Sequence, residues 1–182
     1  MHRAPLLALL ADYAERYPDE RRTVTRMRDF VEANVDCFER SLLAGHITGS
    51  AWLLDSSGER ALLTHHRKLG RWLQPGGHAD GEADIANVAL REAMEESGIN
   101  DISALSDQIF DIDIHEIPAR GKEPAHFHYD CRFLLQATHD DYVVSEESYD
   151  LRWIGAHEIT TLTDEASVLR MVRKWWVLQT TE

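Results

Sequence analysis

Arg91, Glu92, Glu95 and Glu96 lie close together in a stretch that follows the dipeptide Gly76-Gly77. At about 100° of rotation per helical residue, the three carboxylates fall within an arc of about 100° on one helix face. Carboxylates so placed repel one another and weaken an isolated helix by a few tenths of a kcal/mol per pair. A hard divalent cation removes that repulsion, because Mg²⁺ and Mn²⁺ prefer carboxylate oxygens and keep positions for water or substrate. The opposite face carries Ala86, Ala89, Leu90 and Ala93, so the helix is expected to dock on a core. The Pro75-Gly76-Gly77 turn lets a ligand approach the backbone closely. The plainer reading of the same residues is a solvated acidic face, with Arg91 and Glu95 as an ordinary i,i+4 pair.

The spacing resembles the Nudix box, a glycine, five residues, Glu, seven residues, then Arg-Glu-apolar-x-Glu-Glu-x-Gly-apolar. Gly77 matches the first glycine, and Arg91, Glu92, Ala93, Glu95, Glu96, Gly98 and Ile99 match the second half in register. The departure is the first Glu, whose position is Ala83, between Glu82 and Asp84. The resemblance implies an α/β fold, a Nudix-like α/β/α sandwich with a mixed central sheet. It also implies hydrolysis of a diphosphate linkage in a nucleoside diphosphate derivative or similar small molecule. Gly77, Glu92, Glu95 and Glu96 would then hold Mg²⁺ (or Mn²⁺), Arg91 would orient the carboxylates, and Glu95 or Glu147 would take a proton from water. Glu147, with Glu146 next, is singled out because it lies in the loop before the Trp153 strand. The rival readings are a Nudix-like ligand-sensing module without hydrolysis, favoured by Ala83, and a diphosphate isomerase of related fold.

The chain of 182 residues is long enough for one core. Its net charge of −13 excludes non-specific nucleic-acid binding, which depends on Lys and Arg at phosphates. Cys37 and Cys131 are too few and too scattered for a disulfide framework, so a cytoplasmic protein is expected. The apolar run from Pro5 to Ala11 has the look of a signal-peptide core, but Asp12, Glu15 and Arg16 follow it at helical spacing. No run is long enough to span a bilayer. There is no Gly-x-Ser-x-Gly elbow and no cysteine in a nucleophile setting.

These residues need elements to hold them. Residues 4–17 and 23–44 read as two amphipathic helices, the second through Val24, Met27, Val31, Val35, Phe38 and Leu42, with Gly45 as its stop. Residues 1–44 would form an N-terminal helical hairpin preceding a Nudix-like domain over 45–182. The pair either packs on that domain, serves a homodimer or forms a wall of the substrate pocket. Strands are expected at 47–54 and 61–66 as a hairpin, residues 72–74 lead into the glycine turn, and further strands are expected at 101–115, 125–138 and 150–154. A short helix over 157–161 and a last helix capped by Thr163 or Asp164 complete the chain.

Outside the box, residues 125–133 alternate, with His126, His128, Asp130 and Arg132 on one strand face and Phe127, Tyr129, Cys131 and Phe133 on the other. The polar face could line the substrate pocket, hold zinc through His126 and His128 with His115 as third ligand, or simply meet solvent. Arg120 and Lys122 lie in a loop that reads as a phosphate clamp or as solubilising charge. His65, His66, Arg67, Lys68 and Arg71 form a basic stretch that could guide an anionic substrate. Trp52, Trp72, Phe127 and Tyr129 could stack on a base, although core packing is the commoner role.

Overall fold

The computed structural model describes residues 2–67, 70–121, 124–144 and 148–180. Helix α1 spans Ala4–Arg16, with Pro5 in the first turn where a missing N–H costs nothing. A short 3-10 turn at Pro18–Glu20 leads into α2, Arg21–Ala33. The strands are β1 Gly45–Leu54, β2 Arg60–His66, β3 Arg71–Leu73, β4 Gly76–His78, β5 Ile102–Ile117, β6 His126–Ala137 and β7 Ser148–Gly155. Between β4 and β5 runs α3, Ile85–Ser97; α4, Ala156–Leu162, and α5, Ala166–Gln179, follow β7.

The second helix ends eleven residues before the sequence pattern does. Asn34 turns extended and its side-chain amide donates to the Phe30 carbonyl at 2.8 Å, closing the helix end. Phe38 is still buried, but from a run of turns rather than a helix, and Val35 is 64% exposed. The amphipathic spacing of 35, 38 and 42 was coincidental with helix period.

The sheet order is β3-β2-β1-β6-β5, with β4 also on β1 and β7 also on β2. β1 runs parallel to β6 over ten residue pairs, whereas the other pairings are antiparallel, so the sheet is mixed. The expected β1–β2 hairpin is paired at Leu54 and Ala61. Beyond that point the strands part, β1 taking β4 and β6 while β2 takes β3 and β7.

Alternation along β1 and β6 divides two cores. Ile47, Ala51, Leu53, Tyr129, Cys131, Phe133 and Leu135 pack against α1, α2 and α3. Trp52, Leu54 and Leu134 pack against α4 and α5 on the other side. The N-terminal helices therefore share the core of the sheet, with Leu6, Leu10, Tyr13, Met27 and Val31 almost wholly buried.

Candidate functional site

Three local devices fix α3. The Asp84 carboxylate caps it by accepting from the Asn87 N–H at 3.2 Å. Ile85, Val88, Ala89 and Ala93 dock it, and Gly98 ends it at φ 71°, a left-handed cap that suits glycine. Facing the helix, β4 carries Gly77 so close that a Cβ there would overlap the Glu92 carboxylate. The glycine turn of the sequence is thus a short strand paired with β1 through Gly49 and Ser50.

The carboxylates are individually oriented. Glu96 accepts the Gly76 N–H at 2.8 Å. Arg91 donates to Glu92 at 2.8 Å and to the His78 carbonyl at 2.9 Å, and its Nε lies 3.8 Å from Glu95. Burial pushes the Glu92 carboxyl above its ordinary pKa, opposed by the Arg91 hydrogen bond and charge, while the Glu95 charge raises it further. Glu95 is 64% exposed and Glu92 17%. Glu92 and Glu96 thus meet the glycine backbone, Glu95 lies beside them on α3, and Arg91 pairs with Glu92 and Glu95. Such a set of hard oxygen donors fits Mg²⁺ or Mn²⁺.

Ala83 has a physical account. It lines a groove of about 420 Å³ with Pro5, Leu6 and Leu9 of α1, where a Glu side chain would meet apolar surface. The flanking acids serve the backbone instead, Glu82 accepting the Asp84 N–H at 3.0 Å while Asp84 caps α3.

The other expected residues are dispersed. Arg71 pairs with Glu165, the residue before α5, at 2.6 Å rather than with α3. Arg120 is exposed in the β5–β6 connection. Glu146, Glu147, Lys68 and Lys122 lie outside the described residues. The last helix takes Glu165 at its cap position; Thr163 contributes by accepting the Glu165 N–H at 3.2 Å.

His126 and His128 lie on the face of β6 away from α3, and that face is closed rather than open to solvent. Asp130 and Arg132 are 2% exposed and His126 5%. Two constellations share this face. Toward α5, Arg132 binds Asp130 at 2.7 Å and Asp111 at 2.9 Å, while Arg170 and Lys174 reach Asp111 at 2.8 and 2.6 Å. Although burial alone would raise the Asp111 carboxyl, the Arg170 hydrogen bond and the charges of Arg132, Arg170 and Lys174 hold it below the carboxylate range. At the other end the parallel register sets His46 beside His128, and β4 adds His78 next to them. The ring centroids of His46 and His128 are 4.9 Å apart, and those of His78 and His128 5.0 Å. Burial, then the neighbouring rings, pushes His46 down to about 4 and His128 down to about 2.

Neither His46, His78 nor the Asp111 network was visible in the sequence reading. The one available signal was His46-x-Thr48-x-Ser50, polar residues at strand period like those of β6. Thr48 and Ser50 in fact donate to Asp130 at 2.9 and 2.8 Å.

Fold and site together define an α/β/α sandwich whose acid-bearing helix meets a glycine strand. The sequence description of the NUDIX domain matches residues 46–175, and the chain belongs to this family. An m7GpppN-mRNA hydrolase of Danio rerio is 35% identical over 65 residues, 33% of this chain and 22% of its own length. A Mycobacterium tuberculosis protein provisionally named 8-oxo-dGTP diphosphatase 3 is 30% identical over 112 residues, 58% of this chain and 49% of its own length. The chain thus spans less than half the length of these curated relatives. Among solved structures, a Caenorhabditis elegans Ap4A hydrolase complex superposes with a TM-score of 0.60 at 20% identity, covering 75% of this chain and 98% of that one. That likeness is one of fold.

Proposed function

We propose that the chain is a divalent-metal-dependent pyrophosphohydrolase acting on a nucleoside diphosphate derivative or similar small molecule. The observation that carries this reading is the crowding of Glu92 and Glu96 against the Gly76-Gly77 backbone with Arg91 beside them. The names of the relatives, a capped-RNA hydrolase and a nucleotide diphosphatase, support the same bond class.

Glu92, Glu95, Glu96 and the Gly77 carbonyl would hold Mg²⁺ or Mn²⁺. Such an ion neutralises phosphate oxygens and acidifies water. The chain's own residues do the rest. Arg91 fixes the Glu92 carboxylate and the His78 carbonyl, keeping the strand and helix in register. The Gly76 N–H donates to one Glu96 oxygen and so orients that carboxylate against the glycine strand. Glu95, the most exposed of the three, or Glu147 accepts the proton as water oxygen bonds to phosphorus and the bridging P–O bond breaks. Orientation and charge stabilisation supply most of the acceleration. The Ala83 groove under α1 explains the one departure from the box by packing, which weakens the case for a sensing module without hydrolysis.

Of the substrate-binding candidates, His126, His128 and Arg120 lie in or beside the β5–β6 connection and could border a substrate, whereas Arg71 is engaged by Glu165. No helix among the described residues is long and apolar enough to cross a membrane. Cys37 and Cys131 are buried free thiols, which suits a reducing, cytoplasmic compartment.

The test is a panel of nucleoside diphosphate derivatives, dinucleoside polyphosphates and nucleoside triphosphates with Mg²⁺ or Mn²⁺, with and without chelator. Chelator-sensitive release of phosphate or nucleotide is expected. Binding of a panel member, read by a rise in Tm, with no turnover under any condition would replace the hydrolase by the sensing module.

A further inference from the structure

The imidazoles behind β4 take no proton and hold no ion in the hydrolysis described above. We infer that His46, His78, His126 and His128 form a second, nitrogen-only site for a borderline transition-metal ion of the Zn²⁺ class.

Donor atoms of His46, His78 and His128 all lie within 4.8 Å of one another. His126 and His128 bring their Nε2 atoms to 3.3 Å. Two nitrogens each about 2.05 Å from a tetrahedral ion are about 3.3 Å apart, so this pair already has the bite of a zinc site.

The second observation is His46 itself. It is 2% exposed, and neither ring nitrogen makes a hydrogen bond. The Leu42 main chain is near enough to bias the ring toward protonation, but it does not meet hydrogen-bond geometry with either nitrogen. A buried ring with both nitrogens unmet costs a few kcal/mol unless something takes its lone pair.

His126 is set up as a ligand by its neighbour. Its Nδ1 lies 2.9 Å from the Pro124 carbonyl, which can only accept, so Nδ1 carries the proton and Nε2 presents its lone pair to the cluster. A backbone carbonyl on the far nitrogen is the usual orienting contact of a metal-bound imidazole. Neutral imidazoles suit Zn²⁺, Cu²⁺ or Ni²⁺ far better than Mg²⁺, so the two sites would not compete for one ion.

The surroundings can accept the charge. Along the same sheet face, Glu20, Asp111, Asp113 and Asp130 meet Arg132, Arg170 and Lys174, four carboxylates against three cations. His115, with Nδ1 3.2 Å from Asp113, connects that network to the His128 ring at 5.4 Å. The expected zinc pair of β6 thus gains its partners from β1 and β4, with His115 one step outside. Because the His78 carbonyl is held by Arg91, an ion on the His78 ring would also anchor the Gly77-His78 peptide.

The experiment titrates the purified chain with Zn²⁺ in excess Mg²⁺ and records X-ray absorption at the zinc edge. Expected are one Zn²⁺ per chain that resists Mg²⁺, and a first shell of nitrogen at about 2.0–2.1 Å with imidazole scattering. At a hundredfold excess over Kd, Tm should rise by about 5 °C or more. His46→Gln should weaken Zn²⁺ binding at least tenfold, whereas Glu96→Gln should leave it unchanged. An oxygen-dominated shell, Zn²⁺ displaced by Mg²⁺, or Zn²⁺ binding lost in Glu96→Gln would overturn the inference. The wild-type absorption spectrum decides even if His46→Gln fails to fold, and it stands or falls separately from turnover in the panel.

Discussion

Among the described residues, the carboxylates around Glu92 and those around Asp111 differ in how their charge is met. On the α3 side of the sheet, Arg91 pairs with Glu92 and Glu95, and Glu92 is held above its ordinary pKa by burial. On the other side, Asp111 and Asp130 are more deeply buried, yet Arg132, Arg170 and Lys174 close on them and on Asp113, and Asp111 and Asp113 lie below the carboxylate range. Burial alone does not separate a site from a strut. What separates Glu92 from Asp111 is the compensating charge around each, because an acidic group that the protein itself neutralises has little capacity left for an external cation.

The largest stability effect should come from breaking the closed group. Arg132→Met leaves Asp111 and Asp130 buried with a partner removed, and a loss of about 3–5 kcal/mol is expected in denaturant unfolding. A loss below about 1 kcal/mol would mean that Arg170 and Lys174 suffice and that Arg132 is redundant.

Acid sharpens the contrast. Asp111 and Asp113 titrate lower in the folded chain than in the unfolded one. Their contribution is therefore complete above the unfolded value of about 4 and disappears as pH falls through the folded values. A Tm series should decline below about pH 4, and Arg132→Met should flatten that decline.

For the open group the sign reverses. The folded-state pKa of Glu92 is raised, so its ionised form opposes folding at neutral pH when no cation is bound. In chelator, Glu92→Gln should stabilise by a few tenths of a kcal/mol, about 1 °C in Tm, through relief of like-charge repulsion. Added Mg²⁺ should raise the Tm of the wild type and not of this variant.

The open group was legible in the sequence because it is local. Gly77, Arg91, Glu92, Glu95 and Glu96 sit within one strand-to-helix unit, where spacing fixes geometry. The alternation of residues 126–133 was equally legible, because strand period decides which side chains share a face. Its burial was not, since that depends on α5 covering the same face from forty residues away. His46 meets His128 through a parallel pairing, and no hairpin turn announces such a pairing. Asp111 joins Arg170 across fifty-nine positions. The overlong second helix failed for the opposite reason, local competition by the Asn34 side chain beneath a periodic apolar pattern. Ala83 looked like a missing acid until α1 was seen over it.

The most direct test of the account is Mg²⁺-dependent turnover by the wild type and Glu96→Gln, on the panel member the wild type hydrolyses best. The account predicts at least a 100-fold loss at every Mg²⁺ concentration, with a metal-free Tm within about 2 °C of wild type. Near-wild-type turnover by Glu96→Gln would show that the α3 carboxylates are no more than a solvated helix face.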